Sequence, residues 1–217
     1  MSGIFALLGA VLAYRLYLQR DKACFMWALF AFYAGMEFLQ FLQHRTLNQC
    51  NSKENQFLTI VAFLYILVQP FLWNYYAFRC RSPTPFLKGV FSVSMVLCVL
   101  VAGSMGLRWG TGTDSKGTEF LTGELCTKRD KGHLYWQWPI GPSTTHMANW
   151  FAFMLVWMAP LLLFGERGIG TGLAAGALLS YAISKKSAEF ASTWCLMSLP
   201  LLLGGLALDL HAGKVTI

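Results

Sequence analysis

Seven apolar runs divide this chain almost from end to end, each close to the length that crosses the hydrocarbon of a bilayer as a helix. They fall at about 3–18, 23–44, 57–78, 86–106, 145–165, 168–184 and 189–208, bounded by charges or turn residues. A long segment at 107–144 is the main interruption. Soluble domains carry about a quarter charged residues. Here 12% are charged, 56% are hydrophobic and the mean hydropathy is +0.49. The expected fold is all-α: a polytopic seven-helix transmembrane bundle, one domain over residues 1–217, embedded in the lipid bilayer as a multi-pass protein. The first run carries Arg15, yet no basic region precedes it and no small-x-small motif closes it, so it reads as a span and not as a signal peptide.

The basic residues orient the bundle. Arg15, Arg20, Lys22, Arg79, Arg81, Lys88, Arg167 and Lys214 lie on the side reached after the first helix, against Arg45, Lys53, Lys185 and Lys186 in the short loops opposite. The remaining five sit in 107–144, a long extracytoplasmic loop in this reading, where the rule is less decisive. The balance places the N-terminus outside and the C-terminus inside. Spread over both faces, the net charge of +7 does not form a nucleic-acid patch.

Gly168, Gly172 and Gly176 recur every fourth residue and offer a bare backbone face for close helix packing, including packing in a homo-oligomer. Pro70, Pro160 and Pro200 interrupt three spans. Of the six cysteines, only Cys50 and Cys126 fall on two segments that cap the same outer face, which makes them the natural disulfide pair if that compartment is oxidising. No CxxC or HxxxH spacing suggests a metal, and no cofactor is expected. Tyr135, Trp136 and Trp138 read as an interfacial anchor before the fifth helix.

Polar groups inside the spans carry the functional signal. Glu37, Gln40 and His44 share one face of the second helix, with Glu37 roughly 10 Å below its outer end. Tyr65 and Gln69 enter from the third helix, Tyr65 at a depth of roughly 12 Å. Glu189, Ser192, Thr193 and Cys195 open the last helix at the same surface, and His146 and Asn149 open the fifth. An acid at such depth is costly unless paired or protonated, which makes Glu37 a proton or cation handle. Glu189 is adequately explained as a helix-terminal carboxylate. The convergence points to an outward-facing polar pocket centred on Glu37, lidded by His133–Trp138.

The motifs Met36-Glu37-x-x-Gln40, Gln69-Pro70, Gly132-His133-x-x-Trp136, and Glu189 followed by Trp194-Cys195 resemble the signature of an uncharacterised seven-span membrane family, a domain of unknown function. Order and spacing hold from about residue 30 to 200. The family pattern as a whole also has a Met-Cys-Trp-Ser start, whereas this chain begins Met1-Ser2-Gly3. The resemblance implies the span count and the residues of interest, with no activity attached.

Three functions compete. The first is a channel or transporter for protons or a small polar or cationic solute, with Glu37, Gln40, Tyr65, Gln69, His133, Trp136, Glu189, Ser192 and Trp194 lining its site. The second is an intramembrane enzyme acting on a lipid or amphiphile at the outer leaflet, with His133 or Glu37 as acid–base and Ser192 or Cys195 as nucleophile. The third is a ligand-binding receptor or a structural subunit of a membrane complex. A retinal Schiff base is disfavoured, because Lys185 and Lys186 lie before the last helix and leave no amine within it.

Overall fold

A computed structural model describes residues 2–19, 25–79, 84–111, 121–130, 132–141, 152–156, 167–184 and 189–211. The chain is mostly helical: α1 (Ser2–Leu18), α2 (Met26–Gln43), α3 (Lys53–Arg79), α4 (Pro85–Leu107), a helical stretch α5 at 152–156, α6 (Arg167–Ile183) and α7 (Phe190–His211). Each coincides with one of the apolar runs. Most of the fifth run lies outside the described residues, as do His146, Asn149 and Pro160.

Local chemistry sets the ends. The Thr84 hydroxyl accepts from the Leu87 amide and Pro85 occupies the first helical position of α4, where a missing N–H costs nothing. Pro70 and Pro200 lie inside α3 and α7, which remain continuous through them. Among the described residues α3 and α4 are each long and apolar enough to cross a membrane, while Ser2–Leu18 and Phe190–Gly204 are shorter apolar helices.

The packing is sequential. α1 lies along α2, α2 touches α3 and α7, α3 touches α4, and α6 pairs with α7. Gly9 makes the first contact intimate: a Cβ there would stand 2.9 Å from the Ala34 Cβ. Large apolar side chains such as Phe57, Leu64, Val96 and Leu178 are exposed, whereas Glu37, Gln40, Gln43, Thr59, Gln69 and Asn74 are buried.

The all-α expectation needs one correction. Within 107–144 the chain forms an antiparallel hairpin, β1 (Cys126–Arg129) with β2 (Leu134–Gln137), in register Thr127 with Trp136. Leu134 and Trp136 face inward and Tyr135 and Gln137 alternate outward, the period-two pattern of a half-buried strand. The hairpin packs on the ends of α3 and α7. Trp136 and Trp138 are therefore buried and stack on each other at 6.0 Å, so they are not the interfacial anchor their composition suggested. Phe63 packs against both Trp138 and Trp109.

Candidate functional site

Helical spacing aims the polar residues inward. Tyr33, Glu37, Gln40 and Gln43 recur along one face of α2, Gln69 and Trp73 along one face of α3, and Ser192, Cys195 and Ser198 along one face of α7. Where these faces meet, Trp73 Nε1 donates to the Tyr33 hydroxyl at 2.8 Å, and Gln69 Nε2 lies 3.7 Å from Cys195 Sγ. Cys195 is a neighbour of Glu37, and α1 brings the Ser2 side chain near the carboxyl but outside hydrogen-bond geometry. α1 thereby supplies a wall that sequence reasoning did not assign to the site.

Glu37 and Gln40 form the centre. Neither has any solvent exposure, and among the described residues neither carboxyl oxygen of Glu37 and neither amide atom of Gln40 has a hydrogen-bond partner. Buried polar groups are normally satisfied, and these four atoms on adjacent turns are exceptions, as are the Thr46 and Ser180 hydroxyls. The hairpin closes the end of the bundle above them, where Gln43 ends α2.

That closure is built from side chains. Trp136 Nε1 donates to Gln43 Oε1 at 3.0 Å, while Gln43 Nε2 donates to the Leu58 carbonyl at 3.1 Å. Trp138 Nε1 donates to the Thr59 carbonyl at 3.0 Å, and the Thr59 and Thr127 hydroxyls are 2.7 Å apart. Asn55 bonds both the Thr46 carbonyl and the Thr127 backbone. A disulfide between Cys50 and Cys126, as expected, ties the α2–α3 connection to β1, with Cα atoms 4.9 Å apart. Asn55 and Thr59 went unnoticed in the sequence, although their i, i+4 spacing and position at a helix start were a usable signal.

His133, in the hairpin turn, places Nδ1 3.0 Å from the Ser192 hydroxyl. Ser192 Oγ also contacts the carbonyl oxygens of Leu134 and Glu189, which can only accept. Together these contacts latch the hairpin to α7. The Glu189 carboxylate lies against the Cα of Gly132, a position only glycine leaves free. Burial holds the His133 imidazole below its ordinary pKa; the Leu134 carbonyl and Glu189 oppose this, and His44 and Arg129 add to it.

Two expected members stand elsewhere. Tyr65 lays its hydroxyl against Gly35, where a Cβ would be 2.5 Å away, and its ring against Phe32. Those positions occupy a different face of α2 from Glu37, so matching depth did not bring matching direction. Trp194 faces α6, closing over Gly176 together with Leu201. Gly176 is thus covered by the chain's own α7. The side-chain surroundings of Gly168 and Gly172 lie outside the described residues.

Among the described residues no three His, Cys, Asp or Glu side chains converge as a metal site. No curated protein and no solved structure matches the chain. A family model does match, over residues 1–212, and on that match the chain belongs to the family of unknown function DUF5765.

Proposed function

We propose that the chain is a multi-pass helical membrane protein, a channel or carrier in which Glu37 and Gln40 bind a proton or a small cation in transit. One observation carries the chemistry: a carboxyl and an amide on adjacent turns are wholly buried with all four polar atoms unpartnered among the described residues. An unpaired carboxylate at the centre of a span costs about 3 kcal/mol on insertion scales, a cost that a bound proton or cation removes. The membrane reading draws on the inverted polarity of α3. Phe57, Ile60, Leu64 and Val68 make an exposed apolar stripe along α3, while Asn55, Thr59 and Gln69 of the same helix are buried. The disulfide sits at the end of the bundle where α1 begins, which supports an oxidising outer compartment and an outside N-terminus.

The test is flux in proteoliposomes containing the purified chain. Wild type is expected to pass protons or a monovalent cation, and Glu37→Gln to pass them at least about tenfold more slowly, the effect of losing about 1.4 kcal/mol of site affinity. Equal flux in the two, or none in wild type, overturns the reading in favour of a receptor or structural subunit.

A second reading, an enzyme acting on a lipid or amphiphile, draws on the 3.0 Å contact between His133 and Ser192. It is the weaker of the two because Ser192 Oγ is already engaged by the Leu134 and Glu189 carbonyls and Cys195 is fully buried. An unchanged membrane lipid profile in His133→Ala eliminates it.

A further inference from the structure

A groove of about 610 Å³ runs between α1 and α2. Ala6, Ala10, Ala31 and Ala34 floor it, and Leu7, Phe38 and Phe41, all exposed, wall it. It extends from Gly3 and Phe41 at one end to Ala13 and Ala31 at the other, ten residues on each helix, or about 15 Å. The Arg45 guanidinium stands over the Phe41 ring, 6.0 Å from its centroid, so a cation marks the outer mouth of a lining that is otherwise apolar.

We propose that this groove holds one acyl chain of an anionic phospholipid whose phosphate pairs with Arg45. The proposal rests on the membrane reading above and is independent of what Glu37 does. The length and lining suit an extended hydrocarbon tail: about 15 Å of open groove walled by alanine, leucine and phenylalanine side chains. A second copy's helix on the same face is an outcome the test below distinguishes. Charge complementarity selects the headgroup, since a basic side chain at the bilayer surface favours an anionic lipid by about 1 kcal/mol, or about fivefold. The position of Arg45, one turn beyond Phe41, puts that charge where a phosphate stands when its tail runs down the groove.

The experiment is native mass spectrometry of the full chain in detergent, titrated with phosphatidylglycerol and with phosphatidylcholine. One phosphatidylglycerol is expected per chain, with phosphatidylcholine about fivefold weaker. Arg45→Gln is expected to remove that preference and leave tail binding intact. Ala10→Leu combined with Ala31→Leu fills the groove from two exposed positions and is expected to weaken both lipids at least about tenfold. Because the filled variant could misfold, a photoreactive-tail phosphatidylglycerol is also crosslinked to wild type, with adducts expected on α1 and α2. Undiminished binding in the filled variant, adducts confined to α4, or a wild-type dimer that the filled variant dissociates each overturns the proposal. Glu37→Gln is expected to bind lipid normally, which separates failure of the lipid site from failure of the transport reading.

Discussion

Asn55 is the side chain whose loss is expected to loosen the outer cap most. It is wholly buried at the start of α3. Its amide donates to the Thr46 carbonyl at 2.7 Å and to the Thr127 carbonyl at 3.0 Å, and its oxygen accepts the Thr127 N–H at 3.0 Å. Asn55→Ala removes these three bonds and the longer one, 3.4 Å, that its oxygen accepts from the Thr59 hydroxyl, but the partners fare differently. The Thr46 carbonyl still accepts from the Gln49 N–H, and the Thr127 carbonyl still accepts from the Asn48 N–H. Only the Thr127 N–H is stranded. Two shared bonds at about 0.5–1 kcal/mol each and one orphaned buried donor at about 1–3 kcal/mol come to about 3 kcal/mol. The Cys50–Cys126 bond keeps β1 tethered, so the opening is local. Amide hydrogen exchange in detergent is the assay, and Thr127 is expected to exchange about a hundredfold faster than in wild type. Asn55→Asp retains the acceptor for the Thr127 N–H and should recover part of the protection. Exchange at Thr127 within about threefold of wild type in Asn55→Ala would refute the accounting.

Two further predictions use the same kind of measurement. Burial depresses the His133 pKa, so near its ordinary value of about 6.5 the unfolded chain takes up a proton that the folded chain refuses. The hairpin latch is therefore fully stable above about pH 6.5 and weakens as the pH falls toward the folded-state value; hydrogen exchange of β2 should accelerate on acidification, and His133→Asn should flatten the response. Gly9→Ala drives a Cβ to 2.9 Å from that of Ala34 and should lower stability by about 2 kcal/mol in thermal unfolding. Gly89→Ala on α4, with nothing within 4 Å, should raise stability by about 0.5–1 kcal/mol through helix propensity.

The helices were legible because a long apolar run announces a helix whatever it packs against. Pairing Cys50 with Cys126 was legible because the other cysteines fell in spans or on the opposite side of the expected bundle. The hairpin was not, although Leu134, Trp136 and Trp138 alternate with Tyr135 and Gln137: a segment rich in tryptophan beside charge looks the same whether its rings lie among headgroups or under a cap. Tyr65 shows the other limit. Rise per residue sets how deep a side chain lies but leaves free which way its helix is turned, and Tyr65 reached Gly35 instead of Glu37. Asn55 escaped because it lies just before the apolar run of α3, where polar residues are read as solvated. Gly176 belonged to a stripe whose partner could have been any helix, and it was α7.

The cap is contributed by a part of the chain made late. Trp136 is synthesised 93 residues after Gln43, the side chain it bonds, and translation at about 5–20 residues per second makes that an interval of roughly 5–20 s. Within it α3 is completed and stands with α2 without their cover, and the thiol of Cys50 waits for a partner that emerges only after α4. Biogenesis thus has an obligatory order, with helices first and roof and covalent seal afterwards. A pause or a premature oxidation of Cys50 in that window would trap the chain uncovered.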